Sequence, residues 1–321
     1  MATVAQERAG AISATGSGKR RFNWTPYLFI LPHLIFFAVF IGWPFFYGLI
    51  ISFQSYDIAR PAQQRFIGLD NYAEMFNPDS IRFNYFWNAL INTFEFVIYS
   101  VPVLIIIPLA LAVLLNTRVP GVNVFRGIYF APWVLSVSVI GILFWWIFQS
   151  QGGLVTHYLQ ALGVDSPPRW LSSLPWAWIS IVVATVWWTA GFNMIILLAA
   201  LQDIPDQLYE AASIDGATGW QAFWQVTLPM LRPVLLFVLI ITVIASFNLF
   251  GQPFFMTDGG PPQAGGGGGT EPVMYRIYLE GFTGIADQGR ASAMAFLVAI
   301  VMVVVSYLNF RLFRERETVT Q

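Results

Sequence analysis

Long apolar runs separated by shorter polar segments dominate the sequence. Six runs are long enough to cross a bilayer as helices, since one crossing takes roughly 20 residues. They lie at about 24–53, 89–116, 124–148, 175–201, 230–256 and 291–313. Tryptophan and tyrosine collect near the ends of the runs, as is typical of the interfacial belts of membrane proteins. The pattern predicts an all-α integral membrane protein with six transmembrane helices.

The two ends of the chain are predicted to be cytoplasmic tails that flank the membrane domain. Residues 1–22 are small and polar and end in a basic stretch, which predicts a disordered tail; residues 23–314 form the membrane domain, and residues 315–321 form the second tail. With the N-terminus in the cytoplasm, ten basic residues fall on the cytoplasmic side and six on the outer side. This bias agrees with the positive-inside rule. The first apolar run is too long for a cleaved signal peptide.

The polar segment Gln202–Pro229, between the fourth and fifth apolar runs, predicts two short helices. The first begins after Pro205 and presents a face with small alanine side chains, which another protein's backbone can approach closely. The residues of that face are Leu208, Ala211 and Ala212. A turn at Asp215–Gly216 separates it from a second amphipathic turn, which Leu228–Pro229 closes. The aromatic residues of this second turn are Trp220, Phe223 and Trp224.

This segment resembles the EAA loop of ABC-importer permeases. The family's motif is Glu-Ala-Ala, three residues, Gly, nine residues and Ile-x-Leu-Pro, and the sole departure here is Val226 in the place of Ile. The longer string EAASIDGA at 210–217 is most similar to the carbohydrate branch, the maltose and glycerol-phosphate permease type. The string FIGLDNY at 66–72 is similar to the outer-loop signature of the same family. Taken alone, FIGLDNY could equally be a turn with a glycine and an Asx cap.

The resemblance implies a type I ABC importer permease fold with a cytoplasmic coupling loop at 203–229. The residues expected to couple the permease to the ATPase are Glu210, Ala211, Ala212, Asp215, Gly216, Leu228 and Pro229. The implied partners are a second homologous permease, usually in a heterodimer, a cytoplasmic ABC ATPase dimer, an extracytoplasmic solute-binding protein and membrane lipid. The implied location is the cytoplasmic membrane of a bacterium or archaeon, with both termini in the cytoplasm.

Three of the predicted spans carry flat aromatic rings together with hydroxyl and amide groups, the combination that a sugar needs for stacking and hydrogen bonding. In the maltose-type family the sugar site is drawn from the helices that flank the EAA loop and from the helix before them. These considerations place a substrate path at Trp133, Trp188, Thr189, Phe192, Thr242, Ser246 and Asn248. The alternative for the aromatic residues is that they pack between helices or belong to the interfacial belts, and it is left open. Trp188 and Thr189 differ in type from the maltose transporters, so the sugar itself is left open.

Composition excludes several other classes of protein. The chain has no cysteine and two histidines, which excludes disulfides, thiol catalysis and cysteine metal sites. It carries neither a Walker motif nor a plausible catalytic set, so we expect no enzyme activity, metal or cofactor on this chain, and ATP-Mg would be bound by the partner ATPase. The net charge of −1 gives no support for nucleic-acid binding.

Two alternatives to sugar import remain open. The first is an ABC permease for another solute, such as glycerol phosphate or a peptide, although no Arg or Lys lies in the interior of a predicted span, away from its ends, to bind a phosphate. The second, less favoured, is a secondary carrier, which would need ion ligands at the midplane of matched halves. Glu95 is the one ionisable side chain well inside a predicted span, and a transport role and an interfacial position are both open for it. The glycine run 265–269 predicts a flexible linker.

Overall fold

The computed structural model of the protein describes residues 25–60, 62, 64–116, 121–284 and 286–317. The predicted tail 1–22 and positions 318–321 of the second predicted tail lie outside the described residues. The helices are α1 (Thr25–Phe37), α2 (Trp43–Ile51), α3 (Asp70–Phe76), α4 (Ile81–Leu115), α5 (Val122–Phe130), α6 (Val137–Ile147), α7 (Leu154–Ala161), α8 (Trp176–Gln202), α9 (Asp206–Ile214), α10 (Gly219–Ala222), α11 (Leu228–Phe247), α12 (Gly251–Met256), α13 (Val273–Phe282) and α14 (Gln288–Glu317). Two short antiparallel strands, β1 (Gln54–Ser55) and β2 (Arg65–Phe66), pair with each other.

Within the described residues, five single helical stretches are long and apolar enough to cross a membrane. They are Tyr27–Ile51, Ile81–Leu115, Trp176–Gln202, Gly219–Phe247 and Gln288–Asn309. The bent pair of Val122–Val134 and Val137–Ile147, which meets at 98°, makes a sixth if it is counted as one span. The six predicted crossings are therefore recovered. Two boundaries differ: α4 begins at Ile81 rather than near 89, and the predicted run 230–256 breaks after Phe247.

The chain divides into two compact units, Met1–Gly48 and Leu49–Gln321. The described part of the first unit is α1, a π-helical turn at Ala38–Gly42 and the beginning of α2. The second unit contains everything that follows, including the coupling segment and the helices around the candidate substrate path.

Four apolar clusters hold the second unit together along the length of α4, and the smallest joins Val101 of α4 to Val243 and Phe247 of α11. Near the 203–229 segment, α4, α8 and α11 meet through side chains such as Ala112, Leu197 and Leu231. In the middle, α4, α6, α8 and α12 bury a further set, which includes Phe96, Ile140, Phe144, Ile181 and Met256. At the opposite end, α3, α4, α13 and α14 pack through a third set, which includes Met75, Phe86, Val273 and Met294. Two ends of the unit are thus fixed separately, with a region between them.

Two of the spans are broken in this middle region, and the breaks touch. The first break follows Val134, where α5 and its 3-10 extension give way to α6, and the second lies between α11 and α12. A Cβ at Gly251 would overlap the side chain of Val137, so a glycine is needed where the two breaks meet. Trp188 donates its indole N–H to the Leu135 carbonyl (3.1 Å), one of the backbone groups at the first break. Broken helices persist at membrane depth only where such groups are satisfied or line a cavity.

The FIGLDNY segment is a structural tie rather than an Asx-capped turn. Helix α3 starts at Asp70 without a side-chain cap, and Gly68 supplies a positive φ of 63°. The buried Asn71 donates to the carbonyls of Ser52 (2.8 Å) and Gln54 (2.9 Å). These bonds fix the segment after α2 against α3, which accounts for an asparagine at this position.

The glycine run 265–269 is an ordered turn, so the predicted flexible linker is wrong. Asn92 of α4 donates to the carbonyls of Gly268 (2.8 Å) and Glu271 (3.0 Å), and Asn88 donates to that of Gly266 (3.1 Å). A side chain at Gly268 would overlap the Gly259 carbonyl. The glycines are therefore required by close backbone approach, and the asparagines of α4 hold the loop down.

An ion-pair network joins α3, α4, α13 and α14 beside this loop. Its members are Glu74, Arg82, Glu271, Arg276, Glu280, Asp287 and Arg290. Glu280 is central, because it accepts hydrogen bonds from Arg290 and from Arg276 (2.7 Å). Burial alone would raise the pKa of Glu280, but the bonds from the two arginines outweigh it and lower the pKa. Burial raises the pKa of Glu271, which one arginine contacts at 3.6 Å.

Candidate coupling loop and transport cavity

The 203–229 segment contains the two predicted short helices, α9 and α10, joined by a turn. Pro205 occupies the N-cap position of α9, and Gly216 turns the chain with a φ of 78°. The second helix begins with a capping box, in which the Thr218 hydroxyl accepts from the Gln221 backbone N–H (3.3 Å) and the Gln221 side chain accepts from the Thr218 backbone N–H (2.7 Å). Each helix thus has a local reason for its start.

The predicted end of the second helix at Leu228–Pro229 is wrong. After Ala222 the helix continues through a π-helical turn, Phe223–Thr227, directly into α11. Pro229 lies in the first turn of α11, where its missing N–H interrupts the regular ladder, and the wider π-turn just before it accommodates that loss. Leu228 and Pro229 therefore connect α10 rigidly to a span instead of ending it.

Most of the predicted coupling residues lie together on an exposed surface. Ala211, Ala212, Asp215 and Gly216 line a shallow groove of about 360 Å³ between α9 and the π-turn. Glu210 is exposed beside them, and Ile214 is 86% exposed at the tip of α9. Leu228 and Pro229 are half-buried in α11, outside the groove. The groove is shallow because alanine and glycine leave little side chain above the backbone.

Helix α9 is tied to the base of α11 by a side-chain contact. The hydroxyls of Tyr209 and Thr227 are 3.0 Å apart, and Thr227 is buried. At the other end of the segment, Leu201 and Ile204 pack into the apolar cluster shared by α4, α8 and α11. The exposed surface is therefore attached to two spans, α8 and α11.

All seven residues predicted for the substrate path line one cavity of about 610 Å³ in the middle region. They are Trp133, Trp188, Thr189, Phe192, Thr242, Ser246 and Asn248. Residues of α4, α5 with its extension, α6, α8, α11 and α12 contribute to the lining, which includes both helix breaks. The volume is within the usual range for small-molecule sites, roughly 300–1,000 Å³.

One part of the cavity is an aromatic wall. The rings of Trp133 and Phe192 are stacked with their centroids 4.7 Å apart, and the rings of Trp133 and Trp188 lie 5.5 Å apart. The Trp188 ring is held by its hydrogen bond to the backbone at the first helix break. Such a wall offers flat apolar surface to the C–H face of a sugar ring.

The hydroxyl groups of the lining are held by local bonds. Thr189 donates to the Thr185 carbonyl (2.8 Å), and the Ser246 hydroxyl lies 3.5 Å from that of Ser100. Asn193 donates to the Leu104 carbonyl (3.1 Å) and to the Thr242 hydroxyl (3.4 Å). These bonds fix the orientation of the polar groups while their oxygens can still accept from a ligand.

Several lining residues were not predicted as site residues. They are Phe96, Leu104, Val137, Thr185, Asn193, Ile241, Ala245, Leu249, Phe250, Gly251 and Gln252. Most are apolar and carry no signal in a membrane sequence, but Gln252 is the one polar residue in 249–256 and could have been noticed. Glu95 is half-buried and does not line the cavity, although its neighbour Phe96 does. Among the described residues, no three His, Asp or Glu side chains come together as metal ligands would.

Residues 80–316 match the protein family described as "Binding-protein-dependent transport system inner membrane component". The chain belongs to this family. This inner-membrane component is 34% identical over 310 residues to the lactose transport system permease protein LacF of Rhizobium radiobacter, covering 96% of this chain and 100% of the relative. It is 33% identical to the arabinooligosaccharides transport system permease protein AraP of Bacillus subtilis (strain 168), covering 95% and 96%. It is also 33% identical to the sn-glycerol-3-phosphate transport system permease protein UgpA of Escherichia coli O157:H7, covering 91% and 94%.

A solved structure has the same fold. It is a bacterial ABC transporter involved in the import of the acidic polysaccharide alginate, and one of its chains aligns with this component with a TM-score of 0.76 and 25% identity. The alignment covers 91% of this chain and 96% of the other. The resemblance predicted from the EAA string is thereby confirmed, as is the type I ABC importer permease fold.

Proposed function

We propose that this permease and a second homologous permease form the path by which a neutral sugar crosses the cytoplasmic membrane, driven by ATP hydrolysis on a partner ATPase dimer. The observation that carries the proposal is the cavity of about 610 Å³, in which an aromatic wall and fixed hydroxyl and amide groups face the same space. Sugars present both an apolar ring face and a rim of hydroxyls. The lining supplies a partner for each.

The absence of charge in the lining favours a neutral substrate. None of the described residues around the cavity is Asp, Glu, Lys, Arg or His. A phosphate ester or an acidic sugar would favour an arginine or lysine there, because charge-assisted bonds are the strong ones for such groups. Two similar permeases are named for lactose and for arabinooligosaccharides, and a third for sn-glycerol 3-phosphate. The uncharged lining supports the first two as guides to substrate class.

The groove between α9 and the π-turn is the surface that would dock on the ATPase. Glu210, Ala211, Ala212, Asp215 and Gly216 would make this contact, whereas Leu228 and Pro229 would transmit its movement into α11. Closure of the ATPase pair on ATP would move α9, and the Tyr209–Thr227 contact would carry the movement to the base of α11. This assignment places the 203–229 segment and both termini in the cytoplasm. Loaded solute-binding protein would dock at the opposite face.

Reconstitution tests the function directly. The permease pair and the ATPase, purified together in proteoliposomes with the binding protein, should take up a labelled neutral sugar from a panel of mono- and oligosaccharides only when ATP is present with the ATPase. Uptake without the ATPase would indicate a secondary carrier and contradict the proposal. Uptake of glycerol 3-phosphate or a peptide, with no uptake of any sugar, would be consistent with an ABC permease but would contradict the proposed substrate class.

Cysteine labelling tests the orientation independently of transport. The chain contains no cysteine, so a single introduced thiol reports on one place. Ile214 at the tip of α9 is 86% exposed and Leu162 after α7 is 81% exposed. A membrane-impermeant maleimide should label Leu162→Cys in intact spheroplasts and Ile214→Cys only after permeabilisation. The reverse pattern would place the coupling segment outside and end its proposed role.

A further inference from the structure

Gln252 differs from the other polar residues of the cavity in its hydrogen bonds. It lies in α12, directly after the second helix break, lines the cavity and is only 4% exposed. Each of the other amide and hydroxyl side chains in the lining has a hydrogen bond within the described part of the chain. Over the same described residues, the Gln252 amide has none, although it carries both donors and an acceptor.

The Gln252 side chain is nearly buried, yet its amide atoms are not among the fully enclosed polar atoms that lack a partner, so the amide retains access to the cavity. Buried polar side chains almost always have a hydrogen-bond partner, so an amide left without one at a cavity wall is available to a ligand. Packing alone does not account for an amide here, because Leu249 and Met256 on either side belong to an apolar cluster. The close approach of Gly251 to Val137 fixes the backbone beside Gln252.

We propose that Gln252 recognises the transported solute by accepting from one hydroxyl and donating to a neighbouring one, which makes it a specificity-determining residue for vicinal diols. The inference rests on the proposed function. An amide matches a pair of adjacent hydroxyls because its oxygen and nitrogen point the same way and have opposite hydrogen-bond character. A substrate that lacks one hydroxyl of the pair leaves the amide unpaired, and sites that hydrogen-bond a hydroxyl reject such analogues.

The test is a cycle that combines a protein change with a substrate change, carried out on the full complex. Uptake of the neutral sugar that the wild type transports fastest, and of each of its monodeoxy analogues, is measured for wild type and for Gln252→Met, which has similar volume and lacks the amide. Gln160→Met, at an exposed position of α7, is the matched control. ATPase activity with loaded binding protein is measured in parallel, since a merely structural role would lower it.

We expect Gln252→Met to lower kcat/KM for the parent sugar about 2- to 10-fold for each of the two hydrogen bonds lost. The loss should fall mainly on kcat, because the binding protein captures the solute. The two deoxy analogues that each lack one contacted hydroxyl should show a smaller loss than the parent sugar, because one of the two bonds is already absent in the wild type, whereas the other analogues show the full loss. Gln160→Met should behave as wild type, and ATPase activity should be unchanged.

Two results would overturn the proposal and leave the proposed function intact. The first is an equal loss of kcat/KM in Gln252→Met for every analogue, which indicates a packing role. The second is no loss of kcat/KM for any of the sugars. Should Gln252→Met fail to assemble, Gln252→Leu answers the same question, because it removes the donors and the acceptor without introducing a charge. Its loss should again be smaller for the two analogues that lack a contacted hydroxyl, and a uniform loss would again refute the assignment. Failure of the wild type to transport any sugar would instead refute the proposed function.

Discussion

Replacement of Glu280 by glutamine should loosen the end of the permease opposite the coupling segment. Glu280 is 9% exposed and accepts from Arg276 and Arg290, each with a side chain that is 14% exposed. The glutamine side chain would keep the shape but leave two buried guanidinium groups without their central anion. The surrounding acids replace it only in part, since Asp287 and Glu271 lie 3.4 Å and 3.6 Å from Arg290 and Arg276, farther than the 2.7 Å contact between Arg276 and Glu280.

The magnitude follows from the burial of the network. Removing one partner of a buried ion pair costs about 3–5 kcal/mol. Glutamine can still accept one hydrogen bond, so we expect a loss of about 3 kcal/mol in the free energy of unfolding. Glu74→Gln is the matched control in the same network, because Glu74 is 40% exposed and lies 3.4 Å from Arg290. This pair is only partly buried, so its loss should cost less than that of Glu280, about 1 kcal/mol.

The assay is unfolding of the purified permease complex in a denaturing-detergent titration, followed by tryptophan fluorescence at several pH values. The folded-state pKa of Glu280 lies below its unfolded value. Its contribution to stability is therefore fully present above the unfolded pKa, about 4.3, and is lost as the pH falls through the folded pKa. The difference in the free energy of unfolding between wild type and Glu280→Gln should be constant near neutral pH and should shrink as the pH falls below about 4.

Equal stability of Glu280→Gln and wild type at neutral pH would refute this reasoning, because it would mean that the arginines are adequately hydrated without Glu280. A difference in the free energy of unfolding that persists unchanged at acidic pH would refute only the electrostatic explanation. The loss of stability in Glu280→Gln would then be assigned to packing. The pKa of Glu271 is raised in the folded state, so this residue changes the stability with pH in the direction opposite to Glu280. The free energies of unfolding of wild type and Glu280→Gln are therefore compared with each other at each pH, and not across pH values.

Three further predictions address the coupling segment, the cavity and the fold. Glu210→Lys should abolish ATP-driven uptake and weaken ATPase retention on the purified complex while the membrane part stays folded; normal uptake would contradict the docking role. Trp188→Ala removes both a ring of the aromatic wall and the hydrogen bond to the Leu135 carbonyl, so relative uptake rates across a sugar panel should change; unchanged selectivity would make Trp188 a packing residue. Gly191→Ala should lower stability by about 1–3 kcal/mol, as overpacking does, because its Cβ would overlap the Tyr129 carbonyl; wild-type thermal stability would show that α5 can move aside.

The positions of the candidate site were accessible from sequence partly through helix periodicity and partly through the spacing of the family's motif. Thr242 and Ser246 share a face of any straight helix at that spacing, and they do line the same cavity. The groove residues Ala211, Ala212 and Gly216 followed from a motif whose spacing is set by a helix and a turn. In both cases neighbours in space are also near neighbours in sequence.

The helix breaks were not accessible in the same way. An apolar run such as 230–256 carries the same composition whether it is one straight helix or is interrupted after Phe247. The interruption is stabilised by contacts from distant segments, namely the meeting of Gly251 with Val137. The ordered glycine run has a similar origin, because Asn88 and Asn92 of α4 hold it from more than 170 positions away. The sequence next to the helix break does not contain Val137, and the sequence next to the glycine run does not contain the two asparagines, so a local pattern cannot predict either feature.

The geometry of α8 and α11 explains how one exposed segment can control the cavity. Both helices lead directly from the 203–229 segment into the lining: Phe192 lies ten residues before Gln202, and Thr242 lies fifteen residues after Thr227. At about 1.5 Å per residue these are rigid arms of roughly 15 and 22 Å. The partners across the cavity, α6 and α12, are short pieces beyond the breaks and share an apolar cluster with α4 and the first half of α8. Helix α11 contributes no residue to that cluster, so a displacement of α9 would move Thr242 relative to Gln252 and Val137, widening or narrowing the cavity without unfolding that cluster or the one that holds α4, α8 and α11. Straightening either break by mutation should accordingly uncouple ATP hydrolysis from uptake while both clusters remain packed.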